Sequence, residues 1–145
     1  MSSEFLSGVE YPHPFDELVV ELCDSAGRHL CIQSPRLDHE VFDSGDLVRA
    51  ISALARRSRQ TEVRILINDS RPLVTRGHRL VALTRRLPTS VRIRKLAEHP
   101  DWNGETVVIR DHDGVLYKPG GADHEGFFEP DSRASTRRHL DLFND

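Results

Sequence analysis

Apolar positions alternate along the chain between helical and extended rhythms. Phe15, Leu18, Val19 and Leu22 stand three and four apart, which predicts a helix over about residues 14–25. Ala26-Gly27 closes it in the manner of a C-terminal glycine. His29-Leu30-Cys31-Ile32-Gln33 is short and apolar, the pattern of a strand, and Ser34-Pro35 stops it. Asp43-Ser44-Gly45-Asp46 is a helix start signal, a side-chain cap followed by an early acid. Behind it Leu47, Val48, Ile51, Leu54 and Ala55 form one apolar stripe. Arg56, Arg57 and Arg59 crowd the last turn, where cations suit the negative end of the helix dipole.

Val63 to Ile67 reads as a second strand, dense enough at Ile65–Ile67 for burial on both faces. Pro72 sits at a favoured first helical position, and Leu73, Leu80, Val81, Thr84 and Leu87 share a face. This predicts one helix over about 72–87, ended by Pro88. Gly77 inside that helix costs roughly 1 kcal/mol relative to Ala, which a close approach by another helix or a ligand would explain. Val91-Arg92-Ile93-Arg94-Lys95-Leu96 alternates apolar with basic residues, a strand with one wet cationic face.

The order so far, αβαβαβ with short connections, predicts a mostly parallel sheet covered by helices. The pattern then changes. Thr106–Ile109 and Val115–Tyr117 flank Asp111-His112-Asp113-Gly114, a β-hairpin with an Asp-Gly turn. Phe127-Phe128 suits an edge strand, and Asp131-Ser132 opens a terminal helix over about 132–143. Residues 1–13, with Gly8, Pro12 and His13, read as a flexible N-terminal arm, leaving 14–145 as a single α/β domain.

Composition narrows the class. The chain has 145 residues, 37% of them apolar, enough for one modest core. No apolar run nears the roughly 18 residues of a membrane span. The first residues lack the basic and apolar stretches of a secretory signal. Cys23 and Cys31 alone make neither a disulfide framework nor a four-ligand zinc site. The expectation is a soluble cytoplasmic protein with no membrane partner.

The net charge of −3 hides three blocks: residues 1–55 carry −7, residues 56–95 carry +10 and residues 96–145 carry −6. The middle block is either a footprint for a polyanion or a segment neutralised by the acidic ones in three dimensions. Eighteen of the twenty basic residues are arginine, which suits phosphate forks. A base-composition bias of the gene explains the same preference, so this count does not decide.

In an open parallel sheet, ligands usually sit beyond the carboxyl ends of the strands. Two loops there, Ser34 to His39 and Asn68 to Arg71, each place an arginine and an aspartate beside a helix entry. Arg36, Arg71, Arg76, His78 and Arg79 are therefore the candidate anion-binding residues. The plainer alternative has Asp69 or Ser70 capping a helix and Asp38 making a turn. His78, near two arginines, should have a lowered pKa and be neutral, suited to general base or ligand. The eight histidines are scattered and form no metal pair on one helix face, so no metal and no cofactor is expected. Walker, dinucleotide and GxSxG signatures are absent. Trp102 is a lone aromatic in a polar loop that could stack on a base.

Several segments together resemble a known family. They are Leu30-Cys31-Ile32-Gln33-Ser34-Pro35, Val63-Arg64-Ile65-Leu66-Ile67, Asp69-Ser70-Arg71-Pro72-Leu73-Val74, Arg76-Gly77-His78-Arg79-Leu80 and Ala82 to Pro88. Over about residues 15–143 the chain is similar to an uncharacterised bacterial family of phospholipase D-like domains, often attached behind an acetyltransferase domain. Active phospholipase D-like enzymes use His-x-Lys followed by Asp, the histidine attacking phosphorus and the lysine holding a phosphate oxygen. With Asp111 in the aspartate's place, Gly104 stands where the histidine belongs and Thr106 where the lysine belongs, and His99 is too far upstream.

The resemblance thus implies the phospholipase D-like fold without the first step of the covalent phosphohistidine route. It implies a non-catalytic domain that binds a phosphate-bearing ligand or nucleic acid, or acts as a regulatory or interaction module. The alternative is a phosphodiester hydrolase with relocated catalytic residues, His78, Asp69 and Asp38. It further implies a homodimer, since such single domains resemble halves of a two-fold pair, and an acetyltransferase partner in trans.

Overall fold

Each apolar run settles into the element whose period it carries. The computed structural model describes residues 6–95, 104–111, 113–120 and 126–129. In chain order these form β1 (Leu6–Val9), α1 (Phe15–Ser25), β2 (His29–Gln33), α2 (His39–Phe42), α3 (Gly45–Arg57) and β3 (Glu62–Ile67). There follow α4 (Arg71–Arg76), α5 (Arg79–Arg86), β4 (Val91–Lys95), β5 (Thr106–Arg110), β6 (Gly114–Lys118) and β7 (Gly126–Glu129). The start signal at α3 works as its chemistry dictates: the Ser44 side chain accepts from the Leu47 N–H at 3.0 Å.

The seven strands make one sheet in the order β1-β7-β6-β5-β2-β3-β4. The α/β phospholipase D-like class stands, but the balance within the sheet differs from a mostly parallel one. Only β2, β3 and β4 run parallel. The pairings β2–β5, β5–β6, β6–β7 and β1–β7 are antiparallel. The hairpin β5–β6 inserts beside β2, so β2 is the strand where the sheet changes sense.

Strand alternation assigns the two faces. Leu30, Ile32, Val63, Ile65, Val91, Val108, Leu116 and Phe128 point to one face and pack with Phe15, Val19 and Leu22 of α1, Leu47, Ile51 and Leu54 of α3, and Leu80 and Leu83 of α5. Cys31, Leu66, Val107, Ile109 and Val115 form a smaller cluster on the other face, with Tyr117 and Phe127 against it. On that second face β4 contributes no apolar residue: Arg92 and Arg94 are exposed, in line with Leu66 and Arg64 of β3. One wet cationic face is why β4 ends the sheet.

Three expectations change. Residues 6–9 are not part of a flexible arm but an edge strand, antiparallel to β7. The short α2 falls in a segment read as loop. The helix expected over 72–87 is two helices, broken at Gly77, whose φ of 73° and ψ of 169° only glycine adopts readily. A Cβ at Gly77 would meet nothing within 4 Å, so the glycine answers a backbone need and not a close neighbour. The terminal helix over 132–143, Leu96, His99, Trp102 and His112 lie outside the described residues. Among the described residues no helix is long and apolar enough to cross a membrane.

Gly77→Ala is expected to lower stability by about 1–3 kcal/mol, because alanine must hold a conformation its Cβ opposes. A urea denaturation midpoint unchanged by this substitution would contradict the assignment of the break to backbone conformation.

Candidate functional site

The turn between α4 and α5 is held by imidazoles. His78 precedes α5, and its Nδ1 accepts from the Leu80 N–H at 3.0 Å. That leaves the proton on Nε2, which donates to the Leu37 carbonyl at 3.0 Å. Asp43 completes the cap by accepting from the Arg79 N–H at 2.9 Å. His39 stacks at 4.9 Å between ring centroids, and its Nε2 donates to the Gly77 carbonyl at 2.7 Å. His78 is thus a buried helix cap with both ring nitrogens engaged. Burial holds its pKa below the ordinary 6.5, with the nearby His39 and Arg79 adding to the effect and Asp43 opposing it. The neutral form expected from the sequence is present, but burial is its leading cause, and neither nitrogen is left for a substrate proton.

The other candidates separate into three groups. Arg71 grips Asp69 through Nε at 2.9 Å and Nη2 at 2.8 Å, while its own N–H also donates to that carboxylate at 3.1 Å. Arg36 approaches the same carboxylate at 3.8 Å. These bonds hold the Asp69 carboxyl well below the usual range. Arg79 pairs with Asp43 at 3.3 Å. Arg76, at the end of α4, is exposed and makes no hydrogen bond or ion pair. Asp38 accepts from the hydroxyl of Tyr11, whose proton is retained because burial and this carboxylate both raise its pKa. No hydrogen bond or ion pair joins Asp38, Asp69 and His78 to one another, and the proposed acid–base trio is not assembled. Among the described residues no three His, Cys, Asp or Glu side chains stand together as a metal site.

The motif positions have their own geometry. Thr106 opens β5, is buried, and lies in register opposite Lys118 of β6. Lys118 Nζ sits 4.9 Å from the centre of the Tyr11 ring and donates to the Pro119 carbonyl. Sequence reasoning passed over both residues, because only the β5–β6 register brings them to this end of the sheet. Asp111 accepts from three consecutive amides: Gly27 at 2.8 Å, Arg28 at 2.9 Å and His29 at 2.9 Å. Burial pushes its pKa up, but these amides and Arg110 outweigh burial and keep it an anion. Its work is to tie the hairpin to the turn before β2.

The basic block is not neutralised. Of its twelve cations, Arg64, Arg71 and Arg79 form ion pairs, and Arg57 donates to the Ala26 and Asp24 carbonyls. The other eight are exposed with no hydrogen bond or ion pair: Arg56 and Arg59 at the end of α3, Arg76 of α4, Arg85 and Arg86 of α5, and Arg92, Arg94 and Lys95 of β4. The acidic α1 lies over β5 and β6, three strand spacings from β4. That is roughly 14 Å, beyond the Debye length of about 8 Å at physiological salt. The sequence left open whether the acidic segments cancel this charge, and topology decides it.

The neutral histidine cap makes stability depend on pH. The unfolded chain takes up a proton at His78 near 6.5, while the folded chain resists until lower pH. The unfolded state therefore binds more protons in that window, and stability is lost as pH falls through 6.5. Urea titrations from about pH 7.5 to about pH 5.5 should show this loss, and His78→Asn, which keeps a capping acceptor, should flatten it. An unchanged slope in that variant would exclude His78 as its source. Asp111→Ala strips three amides of an anionic acceptor, and a loss of about 2 kcal/mol or more is expected in the same assay.

Comparison with solved structures places the fold. Nuc from Salmonella typhimurium, a phospholipase D family member, superimposes with a TM-score of 0.70 at 16% identity, covering 98% of this chain and 92% of that one. NucT from Helicobacter pylori gives 0.65 at 17% identity, covering 97% and 94%. TrmBL2, an archaeal chromatin protein whose structure shows a novel mode of DNA binding, gives 0.63 at 12% identity, covering 97% of this chain and 50% of that one. At these identities the likeness establishes the phospholipase D-like fold alone. No curated protein matches the chain in sequence. A family model, that of a domain of unknown function named DUF7931, matches residues 11–145, and the chain belongs to that family.

Proposed function

We propose that this domain is a non-catalytic phospholipase D-like module that holds nucleic acid by its phosphate backbone. The observation that carries the reading is the set of eight exposed, unpaired cations on β4, the helices beside it and the end of α3. Exposed guanidinium groups without internal partners are free to neutralise phosphates and release counterions. The binding surface lies nearer the β4 edge than the Arg36–Arg71–Arg79 group, because those three arginines already face carboxylates. Arg76 is the one sequence-chosen arginine that remains available.

Catalysis is left out of the reading on chemical grounds. Glycine and threonine at positions 104 and 106 offer neither an imidazole nucleophile nor an ammonium clamp. His78, the relocated candidate, spends both nitrogens on backbone groups. The DNA binding described for TrmBL2 shows that a protein containing this fold can serve as a DNA-binding protein.

Fluorescence anisotropy with labelled DNA, as duplex and as single strands, tests the proposal. Binding should weaken steeply with salt, and Arg92→Ala with Arg94→Ala should reduce the log–log salt slope by about 2. Arg71→Ala, which removes a cation already paired with Asp69, should change affinity much less. No binding of either DNA form at low salt would overturn the proposal.

A further inference from the structure

The cationic end also carries information about which form of nucleic acid it takes. The sequence from Asp43 to Asp101 contains no phenylalanine, tyrosine or tryptophan. The described aromatics belong to other parts of the fold: Tyr11 meets Phe15 edge-on at 5.0 Å, and Tyr117 stacks on Phe127 at 4.9 Å. Phe42 and Phe128 are buried. The one large apolar side chain that is strongly exposed among the described residues is Val74, which has no ring.

Single strands are flexible, and proteins that hold them use aromatic platforms on which successive bases stack. A duplex needs no such platform. It is already ordered, and it presents one charge per about 1.7 Å of axis, against one per about 3.4 Å along a single strand. What the β4 end offers is charge without stacking. Arg92 and Arg94 stand on the same face of an edge strand, two residues apart, which is roughly 6.6 Å. Arg64 lies in register beside Arg92. This row is fixed by sheet geometry.

Resting on the function proposed above, we infer that the basic end is a duplex-selective, sequence-independent backbone clamp centred on Arg92 and Arg94 of β4. Selectivity arises because rigid, doubly charged DNA repays fixed cations, whereas a single strand must be ordered with no stacking to offset the loss.

The test compares a short mixed-sequence duplex with each of its strands and with a second duplex of unrelated sequence. Anisotropy is read at equal phosphate concentration across a salt series. The duplexes should bind within about twofold of each other and roughly tenfold tighter than either strand. Arg92→Ala plus Arg94→Ala should erase most of that preference, while circular dichroism stays unchanged because both side chains are exposed. If single strands bind as tightly as duplex or tighter, the duplex inference is wrong and the nucleic-acid reading stands. A duplex preference that survives the double variant would move the clamp away from β4 and overturn the inference as stated. If neither form binds, the functional reading falls and takes the inference with it.

Discussion

The carboxylate of Asp111, bonded to three successive amides before β2, is the contact on which the sheet leans. β2 pairs in parallel with β3 and antiparallel with β5, and two different hydrogen-bonding ladders must meet on it in register. A slip of one residue on the β5 side would turn Val108 out of the helix-facing core and put Val107 in its place. A charged acceptor anchored beside the first pair, Leu30 with Arg110, penalises that slip, since three amides would lose their partner together. With β5 fixed, β6 and β7 follow by antiparallel pairing, and β7 in turn carries β1.

The same topology sorts the charge. A parallel β2–β3–β4 unit built from the basic middle of the chain comes to lie at one end of the sheet. The acidic helix α1 lies over the antiparallel half. Net charge of the whole chain is therefore a poor guide to what the surface offers. A near-neutral chain presents a concentrated cationic end because its elements are laid out in space nearly in blocks.

Much of this was legible from local chemistry. The cap at Ser44, the strands from His29 and Val63, the Asp-Gly hairpin and the wet face of Arg92 and Arg94 each follow from side-chain type and period alone. What was not legible depended on long-range pairing. Leu6–Val9 is too short and glycine-interrupted to announce a strand, and becomes one only because β7 offers a ladder. Gly77 was read within a helical period that runs on through Leu80 and Val81, and the period does not reveal a positive φ. His78 and Asp43 became caps of one helix because α2 folds back onto the α4–α5 turn, a contact between residues 35 apart. Asp111 looked like a turn residue, and its partners lie more than 80 positions upstream.

The two ends of the sheet are guarded differently. At β4 the outer strand is lined with Arg92, Arg94 and Lys95, so a second copy brought alongside would set like charges face to face. At β1 the outer strand is four residues long, and its register shifts between Ser7 and Val9 around a left-handed Gly8. A short, kinked border offers no straight template for another chain. Seven strands that would otherwise form an open-ended ribbon are closed to growth on both sides, and the domain can reach high local concentration on a polymer without propagating into fibres.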